Sequence, residues 1–162
     1  MKKIILAVVL LGGFSLLGSA ENAASVAAPG GIEKVNDFLT ETKVFFLATT
    51  QGKQPHLRPL GMHFMMDGKL WFGVGDFKQV YKQLKKNPRV EIVALKKDNH
   101  WLRYTGRAVF AKDPKYEQAA LAQFPYLRAM YNEKTGHKVM LFYLEDATAL
   151  VMGMEGAPEN LL

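Results

Sequence analysis

PHLRPLGMHFMMDGKLWFGVGDFKQVYKQL, residues 55–84, reads as strand, tight turn, strand, glycine-bearing loop and basic helix. The turn is Asp67-Gly68. It is a strong hairpin signal, because both central positions of a type I′ turn need positive φ. The turn predicts pairing between the strand carrying Arg58 and the strand Leu70–Val74. Lys78 falls in the first turn of the helix that follows. Two cations on different elements, with backbone N–H groups between them, suit a phosphate-bearing ligand. Both are expected to face one cleft.

Outward from that stretch, the elements are short and mostly joined as hairpins. Ile32–Thr42 has apolar residues at 32, 35, 38 and 39, a helical spacing that predicts a short amphipathic helix over a barrel end or an interface. Lys43–Thr50 is a β-rich run ended by the turn Gln51-Gly52-Lys53-Gln54. The next strand holds Pro55 and Pro59, which cannot donate to a ladder, so it lies at an edge or carries a bulge. Alternation puts His56, Arg58, Leu60 and Met62 on one face and Leu57, Pro59, Gly61 and His63 on the other. Asp76–Asn87 is the helix, with Asp76 as N-cap and Phe77, Val80, Tyr81 and Leu84 as its buried stripe. Asn87-Pro88 stops it.

Strands are expected at Arg89–Lys96 and His100–Ala111. In the second, Trp101, Arg103, Thr105, Arg107 and Val109 share a face, and Gly106 marks a bend or close backbone approach. Lys115–Asn132 reads as helix interrupted by Pro125. Lys138–Glu145 and Ala149–Met154 read as a final strand pair, and Glu155–Leu162 as a loose tail. The sum is an α+β chain: a six- to seven-stranded antiparallel split β-barrel with short flanking helices.

With 162 residues and 49% hydrophobic content, one domain with a real core is expected. The formal net charge of +6 is spread over turns and helix faces, with no long basic run, so nucleic acid is not a predicted partner. There is no cysteine, which removes disulfides, thiolate metal sites and cysteine nucleophiles. The histidines form no metal-binding spacing, and no metal site is predicted. Redox chemistry would therefore need a bound cofactor. Met1–Ala20 places two lysines before an apolar run and ends Gly18-Ser19-Ala20, the three parts of a secretory signal peptide. The run is short for a bilayer span, so cleavage is expected and no stable membrane anchor remains. Lys2-Lys3 in place of twin arginine points to Sec-type export, to a periplasm or outside the cell. The division is signal peptide 1–20, flexible leader 21–31, barrel domain 32–157 and tail 158–162.

The segments FLATTQGKQPHLRPLG (46–61), DGKLWFGVGDFKQVYKQLKKNPRVEI (67–92) and WLRYTGRAVF (101–110) resemble the pyridoxamine 5′-phosphate oxidase-like superfamily, the FMN-binding split barrels. The resemblance runs from about residue 32 to 156. It implies a six-stranded split barrel and a homodimer with FMN at the interface. By position, Arg58 matches the family's phosphate-binding arginine and Lys78 its basic residue at the helix start. Pro59 and Leu60 would put backbone beside the isoalloxazine ring. Phe72, Gly73 and Val74 match the strand end under the flavin. Trp101 and Arg103 match the strand that reaches toward the cofactor, from this subunit or its partner. Two features depart from the pattern. Gly73-Val74-Gly75 stands where many relatives carry hydroxyl donors, and Asp76 brings a negative charge near the phosphate. The C-terminal substrate segment of true pyridoxamine phosphate oxidases has no counterpart in EGAPENLL, so vitamin B6 oxidation is not expected.

Plainer roles compete for the same residues. Arg58 can be an edge-strand surface residue, and Lys78 part of a solvated face with Lys82, Lys85 and Lys86. Trp101 can serve core or interface, and Arg103 and Arg107 can pair with Glu91 or Asp113. The functional expectation is an exported FMN-dependent oxidoreductase of unknown substrate, with no catalytic acid or base identified. The alternative is a non-enzymatic dimeric split barrel binding flavin, haem or another small anion. An oligonucleotide-binding barrel would need surface aromatics interleaved with lysines, and few stand outside the strands.

Overall fold

The computed structural model describes residues 30–162. The signal-peptide reading and nearly all of the leader lie outside the described residues. The elements are α1 (Gly31–Thr42), β1 (Phe45–Gln51), β2 (Gln54–Leu60), β3 (His63–Met66), β4 (Lys69–Gly75), α2 (Gln79–Lys86), β5 (Arg89–Leu95), β6 (Trp101–Phe110), α3 (Lys115–Gln123), a 3₁₀ turn (Pro125–Ala129), β7 (Val139–Met152) and β8 (Glu159–Asn160). All strand pairs are antiparallel, in the order β2-β1-β5-β6-β7-β4-β3, with β8 added to β7. This is an α+β split barrel.

The Asp67-Gly68 turn forms with φ of 52° and 68°, the positive pair its sequence requires. Its partners differ from expectation. The turn joins β4 to β3, with Met66 opposite Lys69 and His63 opposite Phe72. The Arg58 strand is β2, which pairs with β1 alone and forms one edge of the sheet. Gly61-Met62 divides the run into two strands. The prolines account for the edge, since neither Pro55 nor Pro59 has an N–H to offer a second neighbour. The predicted alternation holds along β2: Leu60, Arg58 and His56 stand opposite Phe45, Leu47 and Thr49, the inward residues of β1.

The predicted final strand pair is one strand instead. β7 runs 14 residues, pairing with β4 through Val139–Phe142 and with β6 along most of its length. Asp146, in the gap between the two predicted strands, adopts φ 50° inside a bulge where the β6 register shifts between Thr105 and Arg107. Gly106 lies opposite that bulge. A Cβ there would come within 2.9 Å of the Glu145 carbonyl oxygen and 3.0 Å of Leu144 Cβ. The tail is not loose. Val151 and Leu150 pair with Glu159 and Asn160, the Leu161 N–H donates to the Ala149 carbonyl at 2.9 Å, and Leu161 packs on the core.

Core residues alternate inward from the strands. Phe45, Leu47, Phe72, Ile92, Leu102, Tyr104 and Phe142 fill the barrel, and Val35, Phe38 and Leu39 of α1 cap one end. Each such side chain contributes about 1.5–3 kcal/mol of burial. A second cluster, with Phe64, Trp71, Ala120, Tyr131, Val139 and Leu141, sits under α3 and the 3₁₀ turn. It fixes Tyr131 close to the end of β4.

Candidate functional site

The split between the β2 edge, the end of β4 and the start of α2 encloses a cavity of about 600 Å³. Arg58, Pro59 and Leu60 line it from β2, Gly73 and Val74 from β4, and Lys78 from the α2 entry. Six of the nine residues singled out in the sequence therefore share one wall-to-wall space, and both cations are among them. The other three do not. Phe72 is fully buried and packs against Phe45, Tyr104 and Phe142 in the barrel core. Trp101 and Arg103 lie on the outer face of β6, where Arg103 grips Glu91 through Nε at 2.9 Å and Nη2 at 2.8 Å. That is the ion pair weighed for Arg103 from sequence, and it raises the Arg103 pKa.

Arg58 is held from behind. Its Nη1 donates to the Leu47 carbonyl at 3.0 Å and to Thr49 Oγ1 at 2.7 Å, and its Nη2 donates to Gln83 Oε1 at 2.8 Å. Thr49 in turn donates to Gln83 Oε1 at 2.7 Å, and Gln83 Nε2 donates to Gln51 Oε1 at 3.3 Å. Thr49 and Gln83 are the buried polar residues of the core, 2% and 5% exposed, and this network satisfies them. The bonds occupy the Nη1 edge and one side of Nη2. The Nε–H and the second Nη2–H form the side-on fork that matches a phosphate or carboxylate, and they have no partner among the described residues. Burial lowers the Arg58 pKa, yet a guanidinium remains charged throughout the physiological range.

Lys78 stands at the N-cap of α2, its N–H bonded to the Gly75 carbonyl at 3.0 Å. Gln79 and Val80 follow on the same cavity wall, so the unsatisfied N–H groups of a first helical turn border the space beside Lys78. The helix is shorter than the sequence predicts, and Asp76 is not its cap. Asp76 Oδ1 is buried without a hydrogen-bond partner, 3.9 Å from His137 Nδ1. Phe77 is outside the helix and 38% exposed, stacked on His137 with centroids 4.0 Å apart. The chain turns through Gly75-Asp76-Phe77 before α2 begins, which carries Phe77 away from the apolar stripe of Val80, Tyr81 and Leu84.

Sequence reading missed Thr49, Gln83 and Tyr131. Thr49 and Gln83 carry a readable signal: Thr49 continues the inward set Phe45-Leu47, and Gln83 precedes Leu84 next to the buried stripe. Polar groups in such positions need partners. Tyr131 carries none, because its place beside Gly75 depends on how the 3₁₀ turn docks. Among the described residues no group of three or more His, Asp or Glu side chains could hold a metal ion, and no helix is long and apolar enough to cross a membrane.

The family model described as pyridoxamine 5′-phosphate oxidase matches residues 32–145. A NimC/NimA family protein from Clostridium acetobutylicum superimposes with a TM-score of 0.74 at 32% identity, over 80% of this chain and 90% of that one. A FAD-binding protein from Mesorhizobium loti matches at TM-score 0.53 and 17% identity, over 75% and 94% of the two chains. A heme binding protein from Mycobacterium smegmatis matches at TM-score 0.60 and 19% identity, over 83% and 59%. No curated protein matches the sequence.

Proposed function

The chain belongs to the pyridoxamine 5′-phosphate oxidase family of split barrels, and from that premise we propose that it binds FMN in the β2–β4–α2 cavity and acts as a flavin-dependent oxidoreductase. The observation that carries this is the Arg58 fork: a buttressed guanidinium with its side-on edge unengaged, sharing one cavity with Lys78 and a helix N-terminus. Arg58 would take the phosphate in a bidentate grip, and Lys78 would add a point charge. Pro59 and Leu60 would border the ring, and the backbone of Gly73 and Val74 would meet it at the strand end; the side-chain space at Gly73 is already filled by Met62 Cε and Val139 Cγ2. Bound there, the flavin supplies electron transfer that no side chain of this cysteine-free chain can perform.

A second copy of the chain belongs in this reading. Cross-strand register places Phe46, Leu57, Leu95, Trp101 and Arg103 on the outer face of β2, β1, β5 and β6. Phe46, Leu57 and Leu95 are 43%, 65% and 63% exposed, and Leu57 also lines the cavity. An exposed apolar face continuous with a ligand cavity suits a homodimer that closes the site from outside. Trp101 and Arg103 would then approach the cofactor of the other subunit. The Met1–Ala20 pattern supports export by the same molecule.

His56 on the cavity wall favours one alternative, haem, whose iron His56 would ligate and whose negative charge Arg58 and Lys78 would balance. Titrating the purified protein with FMN, riboflavin and haem separates the readings. The proposal expects a yellow FMN complex that reductant bleaches, with riboflavin bound more weakly. A Soret band that excess FMN does not displace, and that His56→Ala abolishes, would install haem instead.

A further inference from the structure

The glycine loop at the end of β4 has no side-chain donor, yet a hydroxyl stands in its place. A Cβ built on Gly75 would lie 2.9 Å from the Tyr131 hydroxyl oxygen, 2.9 Å from Phe77 Cε1 and 3.2 Å from Lys78 Cγ. Tyr131 thus occupies the space that a side chain at position 75 would use. Its ring is buried in the cluster beneath α3, and its N–H is tied to the Leu127 carbonyl at 2.9 Å, so the hydroxyl is held in place from behind. It lines the cavity together with Arg58 and Lys78 and has no hydrogen-bond partner among the described residues. The ring is buried while the hydroxyl opens into the cavity, which leaves its O–H available to a ligand there.

We propose that Tyr131 is a phosphate-binding and specificity-determining residue: its hydroxyl donates to the phosphomonoester held by Arg58 and Lys78, replacing a donor on residue 75. This rests on the reading that the cavity takes a phosphorylated flavin. Burial and the nearby Asp76 carboxylate raise the Tyr131 pKa, which keeps the hydroxyl protonated and a donor at neutral pH. Gly75 is not in the left-handed region, so the backbone admits a serine, and the part-exposed Phe77 ring has to shift slightly to make room for its Cβ.

The test compares FMN and riboflavin binding by wild type, Tyr131→Phe and the double variant Tyr131→Phe/Gly75→Ser. Far-UV circular dichroism and melting temperature establish that each is folded. Tyr131→Phe is expected to weaken FMN about tenfold or more, the scale of one bond to a charged group, and to leave riboflavin unchanged. In the double variant, the phenol oxygen is gone and the serine supplies a hydroxyl from the neighbouring backbone, so FMN affinity recovers. Unchanged FMN affinity in Tyr131→Phe, while Arg58→Met still loses it, overturns the Tyr131 assignment and leaves the flavin reading intact. Equal losses for FMN and riboflavin also overturn it, because they mark a structural role. A wild-type protein that binds no FMN overturns both.

Discussion

At the scale of single residues, what matters is which polar atoms are already engaged. Arg58 combines a rear edge fixed by Leu47, Thr49 and Gln83 with a side-on edge that no described residue engages. Such pre-orientation removes much of the entropy cost of ordering a long side chain on binding. His63 shows the same logic applied to stability. It packs edge-on against Phe45 and contacts Thr40 Oγ1 at 3.2 Å. Burial lowers its pKa, and the Gly61 carbonyl only partly opposes this. The unfolded chain takes up the proton near the ordinary value of about 6.5, while the fold keeps the imidazole neutral to lower pH. Stability from His63 is therefore fully present above about 6.5 and is lost as pH falls toward the lowered folded value. Denaturant unfolding from pH 8 to 5.5 should show this loss, and His63→Gln should flatten it; identical profiles would contradict it. Arg58 and Lys78 were legible in the sequence because charge and a nearby turn announce them. Tyr131 was not, since nothing local to residues 125–131 reveals that it ends beside Gly75.

Among the elements, strand identity was easier to read than strand pairing. The Asp67-Gly68 turn forms as its chemistry demands, but it serves β3 rather than the Arg58 strand. The decisive feature is the break at Gly61-Met62, which frees β2 to become an edge and opens the split where the cavity lies. A periodic pattern gives each strand its faces, but the choice of neighbour depends on contacts far along the chain. β7 makes the same point: residues 146–148 read as the gap between two strands, yet the sheet absorbs them with a bulge. Gly106 was legible as a close approach, and its geometry predicts a cost. Gly106→Ala would set a Cβ 2.9 Å from the Glu145 carbonyl oxygen, so the backbone of β7 must move. Overpacking of this kind costs about 1–3 kcal/mol. Equilibrium denaturation should show a lower midpoint for the variant, and an unchanged midpoint would mean that the bulge yields freely.

For the molecule as a whole, one outer face carries apolar groups that a lone barrel leaves in water. Phe46→Asp or Leu95→Asp would put a charge on that face while leaving the core and the cavity untouched. Sedimentation should show a dimer for the wild type and a monomer for the variants, with weaker flavin binding in the monomer. A wild-type monomer that binds FMN fully would remove the partner from the site. The overall class was legible because alternation, turns and length agree on a small antiparallel barrel. The network behind Arg58 was not, because it joins three elements distant in sequence. The central claim is that Arg58 and Lys78 grip a flavin phosphate, and the most direct measurement is the ratio of FMN to riboflavin affinity in wild type, Arg58→Met and Lys78→Met. The account predicts at least a tenfold preference for FMN in wild type, about 1.4 kcal/mol, and a collapse of that preference in each variant with riboflavin unaffected. Equal wild-type affinity for the two ligands, or an FMN preference untouched by both substitutions, would contradict it.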